Sequence, residues 1–419
     1  TSGGVRAIGM VAGGSGRRST GYAAAQPTWR QAADGVTTRL AYLDGRLRER
    51  IEADGTPQAR RTLFTRDAAG RVTRVDEQPL QGGAFATSRS ISTTYNSRGQ
   101  RTTMTVAGAA GTSATTTWTY CEAADVTAGS CPLVGLLTAE DGPRTDVADV
   151  TRYGYRMADA PECATEPATC PWRTGDLWTV TDAAGNVQQV ARRDGAGRPL
   201  EVIDANGVVT ALAYDVAGRR TRVAVLGSDN TRSDDDRITQ FRYDADGRIT
   251  EVIAPDGART TLRYDAAGRQ VEVVDAGGNR TTHTLDPAGN VLREDVWDAG
   301  GELWRTQSRG YDALGQMTST TAADGGVTRY QYDAEGRVVE TVDPLGRQST
   351  SAFDLHGERL ATTDDLNGIV ATTGFAYDGL GQLIAVTDPN GLVTRYAYDG
   401  LGRMTQLTSP DTAVARHAY

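Results

Sequence analysis

Long apolar runs are missing from this sequence. No stretch approaches the roughly 20 residues that a membrane-spanning helix needs, and only 38% of the 419 residues are hydrophobic. One thick apolar core is thereby excluded. A thin sheet with polar groups over much of its surface is not. A basic excess is missing too: Lys plus Arg number 44 against 53 Asp plus Glu, a formal net charge of −9. The signs alternate along the chain without forming blocks, so a nucleic-acid partner, which wants a basic stripe, is not expected. Histidine is scarce, with His283, His356 and His417 the whole supply. Two sit at strand-like positions and one in a turn, which leaves Ser-His-Asp and Cys-His catalysis without a credible set of partners. No secretory leader is recognisable, but a mature or truncated chain opening on Thr1 would lack one anyway.

Only four cysteines are present, all in one irregular stretch: Cys121, Cys131, Cys163 and Cys170. Four cysteines permit three pairings. Local pairing, Cys121 with Cys131 and Cys163 with Cys170, is the simplest, because each bridge staples a short loop. Free thiols and a zinc site are the alternatives. Spacings of ten and seven residues are wrong for the usual zinc knuckles, and no histidine lies nearby. Paired cysteines imply an oxidising compartment. No metal or other cofactor is expected.

What is abundant is a turn. The frame aromatic-Asp-x-x-Gly recurs at Tyr214-Asp215 with Gly218, Tyr243-Asp244 with Gly247, Tyr264-Asp265 with Gly268, Tyr332-Asp333 with Gly336 and Tyr398-Asp399 with Gly402. The aromatic position runs 243, 264, 285 (a Leu), then 311, 332, 353, then 377, 398, 419, a step of 21 inside each group. Self-similarity at such a period indicates a repeat architecture. Between Tyr332 and Ala352 the logic is visible. Asp333 to Gly336 is a turn, Arg337 to Thr341 a strand, Asp343-Pro344-Leu345-Gly346 a second turn, and Arg347 to Phe353 the returning strand. Consecutive strands therefore run antiparallel as successive hairpins. Alternation agrees: Leu262 and Tyr264, or Tyr330 and Tyr332, share a face, with Arg263 or Gln331 on the other. His283 falls at such a ladder position and is read as a ladder residue.

The expected fold is all-β, an array of antiparallel β-hairpins forming a long curled or spiral, shell-like sheet. About thirty strands at about 4.8 Å each would make a ribbon too long to stay open and flat. Residues 1–30 are expected to be irregular, 31–117 to hold degenerate repeats, 118–178 to be an insertion carrying the cysteines with Trp118, Trp172 and Trp178, and 179–419 to be regular repeats. The series breaks off on Tyr419 inside a repeat, so the chain reads as a piece of a longer protein.

Other clusters have bland readings. Asp234-Asp235-Asp236 lacks the spaced frame of a calcium loop and reads as a solvated turn. The stretch Gly13 to Arg18 lacks the Lys-Ser/Thr ending of a phosphate loop and reads as a linker. Trp297, Trp304 and Tyr311 are the best candidates for exposed rings that stack on sugars; packing within the sheet is the competing reading.

The series Tyr-Asp-x-x-Gly-Arg at Tyr214, Tyr243, Tyr264, Tyr332 and Tyr398, with Asp-Pro-x-Gly turns at Asp343 and Asp388, resembles the RHS or YD-repeat family. The resemblance covers most of residues 40–110 and 178–419. It implies a bacterial protein, secreted or on the cell surface, whose β-ribbon winds into a hollow shell. In some members the shell holds a C-terminal toxin; in others it contacts glycans or serves adhesion. The expected function is a non-catalytic structural shell that encapsulates or presents another segment of the same longer chain, such as a toxin. An adhesive or carbohydrate-binding surface is the alternative. No self-cleaving segment of the family's kind precedes Tyr419, so no catalytic aspartate is carried over.

Overall fold

In the computed structural model, the described residues are 7–10, 18–23, 26–32, 35–108, 113–144, 147–167, 169–227, 236–366, 368–411 and 413–417. They are strands joined by short turns, with very little helix. Each strand pairs antiparallel with its neighbours in sequence. Ile249–Ile253 pairs with Arg237–Tyr243 on one side and Arg259–Tyr264 on the other, and Arg259–Tyr264 pairs in turn with Gln270–Val274. The chain is an all-β array of antiparallel hairpins. One local exception is Val72–Gln81, which pairs directly with Arg89–Tyr95 while Leu80 and Phe85 form a small hairpin of their own.

Two sorts of turn alternate. Both use an Asp or Ala carbonyl that accepts from a Gly amide three residues on, as at Gly268 N to Asp265 O, 2.9 Å, and Gly257 N to Ala254 O, 2.9 Å. In both the glycine is left-handed, with φ of +80° at Gly268 and +83° at Gly257. A type I turn closed by such a glycine matches the twist of the flanking strands. The two sorts differ in strand register. At the aromatic-Asp turns the register slips by one residue: Tyr264 faces Gln270, but Arg263 faces Glu272. The same slip occurs at Tyr243, Tyr332 and Tyr398. At the other turns none occurs, as between Ile249–Ile253 and Arg259–Tyr264. An extra residue on one strand bends and twists the hairpin locally.

Fully buried side chains are few among the described residues. They include Ile51 at 1% exposure and Ala211 and Ala224 at 2% and 0%. Most strand positions are half-buried.

The chain forms two compact units. The first holds residues 1–94, 103–115 and 307–419; the second holds 95–102 and 116–306. The second contains the small cluster Ala211, Ala224 and Leu226, packed with Val209 and Ile238. It also contains the stretch 118–178, with a helix at Ala123–Thr127 and a 3-10 turn at Pro161–Ala164. Strands also run through Ala7–Met10, Arg18–Ala23 and Gln26–Gln31, in the segment expected to be irregular. Their sequences carry little apolar alternation, and pairing with a neighbour supplies what the pattern lacks. Asp234, Asp235, the glycine-rich stretch 13–17 and Tyr419 lie outside the described residues.

Candidate functional site

The recurring site is the turn itself. Asp265 Oδ1 accepts hydrogen bonds from the amides of Ala267 and Arg269, each at 2.9 Å. Its Oδ2 accepts from Arg269 Nε at 2.7 Å. Asp215, Asp244, Asp333 and Asp399 repeat this arrangement with Arg219, Arg248, Arg337 and Arg403. Only a short acceptor with two oxygens can satisfy turn amides and a guanidinium together. The guanidinium and amide bonds from Arg269 hold the Asp265 carboxyl below its ordinary value. Backbone amides from Arg219 and Arg248 do the same at Asp215 and Asp244. At Asp333 and Asp399 burial works the other way, and the bonds from Arg337 and Arg403 outweigh it.

The arginine then reaches forward. Arg219 Nη1 donates to Asp244 O at 3.1 Å, Arg269 Nη1 to Asp286 O at 2.6 Å, and Arg337 Nη1 to Asp354 O at 3.3 Å. Guanidinium carbons lie over the next aromatic ring: Arg198 over Tyr214 at 4.8 Å, Arg219 over Tyr243 at 4.8 Å, Arg248 over Tyr264 at 5.1 Å and Arg337 over Phe353 at 4.9 Å. The tyrosine reaches back. Its hydroxyl donates to a carbonyl of the preceding hairpin, Tyr243 to Arg220 O, Tyr264 to Ile249 O, Tyr332 to Met317 O and Tyr398 to Leu383 O, at 2.7–2.9 Å. Burial pushes the Tyr332 and Tyr398 hydroxyls up. Where both are present, tyrosine ties a repeat to the one before and arginine ties it to the one after. Where Asn stands in place of Arg, as at Asn279 and Asn290, the amide still bonds the Asp Oδ2 at 2.8 Å.

Sequence reasoning passed over this arginine. The signal was available: the sequence contains no lysine, so all 44 basic positions are arginine. An ammonium could neither fork onto a carboxylate nor lie flat on a ring.

The other candidates have settings of their own. Trp297 occupies the aromatic place ahead of an Asp298 turn, half-buried, with Arg280 over its ring at 5.0 Å. Tyr311 is half-buried ahead of the Asp312 turn. Trp304 is 81% exposed. In the insert, Cys121 is bonded to Cys131 and Cys163 to Cys170, with Cα separations of 5.9 and 4.4 Å. Arg156 is held between Trp172 and Trp178 at 4.1 and 4.7 Å, and Arg101 lies over Trp118 at 5.1 Å. His283 Nε2 stands 3.6 Å from Glu294 on the paired strand. Among the described residues no group of three or more His, Cys, Asp or Glu is placed to hold a metal ion.

The family described as RHS Repeat matches residues 193–228, 243–280, 264–300, 311–348 and 377–414. Four of these stretches open on the aromatic residue of a turn, at Tyr243, Tyr264, Tyr311 and Tyr377. This chain carries RHS repeats. Double-stranded DNA deaminase toxin A of Burkholderia cenocepacia (strain H111) is similar to it, 32% identical over 109 residues, which is 26% of this chain and 7% of that protein. Among solved structures, TcdB2-TccC3-TEV is 16% identical with a TM-score of 0.41 over 95% of the RHS chain and 27% of that chain. A Photorhabdus luminescens Tc holotoxin pore is likewise 16% identical, with a TM-score of 0.41 over 96% and 27%. The RHS chain therefore spans only a small part of the length of each.

Proposed function

We propose that this chain is a wall segment of a longer RHS protein, enclosing or presenting another segment of that protein, a toxin among the candidates. The observation that carries this reading is where the polar chemistry goes. The recurrent carboxylates, guanidiniums and phenols are used to tie one repeat to the next, as in a wall. The similarity to a protein named as a toxin supports the same context. The two disulfides support residence in an oxidising compartment, outside the cell or at its surface. No helix among the described residues is long and apolar enough to cross a membrane.

The test is protease protection in the full-length protein. Non-repeat segments should survive digestion while the repeats are intact and be cut once the repeats are unfolded by acid. Equal digestion rates in both states would remove the enclosing role. A glycan-contacting surface would have to use Trp304, the one exposed ring of the three candidates. Glycan-array binding that vanishes in Trp304→Ala would favour that reading instead.

A further inference from the structure

Among the described residues, three successive aromatic-Asp turns in the first unit meet segments distant in sequence. In the turn Asp354-Leu355-His356-Gly357, His356 Nε2 lies 2.7 Å from the carbonyl of Gln58, 298 residues away in sequence. Glu358 comes directly after that glycine and binds Arg60 with both oxygens, at 2.9 and 3.1 Å. The pair is largely buried, with side-chain exposures of 23% and 16%. In the next turn, a Cβ on Gly379 would stand 2.5 Å from Pro79 Cβ. In the one after, the backbone of Gly400 passes so close to Gly108 that a Cβ there would stand 2.1 Å from Gly400 Cα. Residues 58–60, 79 and 108 thus meet turns 354, 378 and 399 in order.

These contacts fall where the sequence departs from its own motif. The residue after the turn glycine is Arg at 219, 248, 269, 337 and 403, Asn at 290, Gln at 316 and 382, and Glu at 302 and 358. The local arginine clamp is given up at Glu358, and the carboxylate takes a distant arginine instead. The residue after the turn Asp is Val216, Ala245, Ala266, Ala313 and Ala334 in earlier repeats, but Gly at 379 and 400. Those glycines are not needed for the left-handed corner, which Gly381 and Gly402 supply. Gly379 is needed for the close approach of Pro79, and Gly108 for its own approach to Gly400. Gly381 also makes room: a Cβ on it would sit 2.4 Å from Glu358 Oε1. Burial pushes the Glu358 carboxyl up against the pull of Arg60, as an inward-facing acid would behave.

We infer that these three turns are a docking seam that closes the first unit on itself, and that the seam opens without unfolding the hairpins on either side. Side chains and close backbone packing hold it, whereas the flanking hairpins keep their full ladders. The inference stands apart from the wall reading, because it concerns only how this chain meets itself.

The test is cross-linking by a short bis-maleimide in the chain carrying Gln58→Cys and His356→Cys, since the four native cysteines are already paired. Cross-linking should be rapid. Adding Arg60→Glu or Glu358→Arg should slow it at least about tenfold, the factor that about 1.4 kcal/mol of lost contact gives. Combining the two reversals should restore it, and Gly379→Leu should slow it independently. Far-UV circular dichroism should be unchanged throughout. Unaltered cross-linking in the single reversals, or no rescue in the double, would overturn the seam. Loss of the strand signal in the single reversals would overturn its separateness from the fold.

Discussion

The left-handed corner gives the most direct test of how each repeat is held, and three substitutions separate its parts. Gly257 has φ of +83° with open space where a Cβ would go. Gly257→Val therefore reports backbone strain alone, about 1–3 kcal/mol for a non-glycine residue in that region. Loss of glycine's freedom in the unfolded chain offsets about 0.4–1 kcal/mol of it. Gly268 has φ of +80°, and a Cβ there would stand 2.5 Å from Arg248 Nη1. Gly268→Val carries the same strain and also pushes Arg248 off the Tyr264 ring, which adds about 0.5–1 kcal/mol. Arg263 lies on the strand between these corners, with a side chain 75% exposed and 3.4 Å from Glu272. Arg263→Ala should cost at most about 1 kcal/mol. A repeat array need not unfold in one step, so the measurement must be local. Native-state hydrogen exchange of the amides in 249–274 is suitable, with protection falling about tenfold for each 1.4 kcal/mol. The expected order of loss is Gly268→Val, then Gly257→Val, then Arg263→Ala. Equal losses for the last two would mean that the corners are not held left-handed. Equal losses for the two glycines would mean that Arg248 does not rest on the ring.

The same geometry sets other outcomes. The turn carboxyls at Asp215, Asp244 and Asp265 are held low in the folded state, so the stability they add is present above the unfolded Asp value of about 3.9 and is lost as pH falls below it. Acid unfolding monitored by circular dichroism should begin below about pH 4 across many repeats at once, and Asp265→Asn should flatten the pH dependence of exchange in its own repeat. Tyr264→Phe removes the bond to Ile249 O and should cost about 0.5–1.5 kcal/mol, confined to the two hairpins it joins. Reduction opens loops of 10 and 7 residues, worth about 2–3 kcal/mol each; exchange should rise near 121–131 and 163–170 and not at 243–285.

The period of 21, the two turns in each repeat and the antiparallel order were legible because Asp and Gly have local reasons to stand where they do. A left-handed φ excludes other residues, and an Asp cap acts within four positions. What the sequence hid was contact between repeats. Arg269 looks like the last letter of a turn motif, yet its Nη1 ends on Asp286. Trp297 looked like a candidate for sugar stacking, although Trp297-Asp298 with Gly301 is the turn frame with the ring enlarged. His356 and Glu358 were readable only as irregularities, because their partners Gln58 and Arg60 lie 298 residues away. Departures from a repeat are where long-range structure is written, but the repeat alone does not say what they meet.

The forward reach of arginine and the backward reach of tyrosine both stop at the adjoining hairpin. A gene encoding such a molecule can therefore duplicate or lose an in-frame copy in its middle and leave every remaining junction as it was. Length becomes a quantity that selection adjusts freely. The seam, whose partners sit at fixed places along the chain, is what such a change would throw out of step.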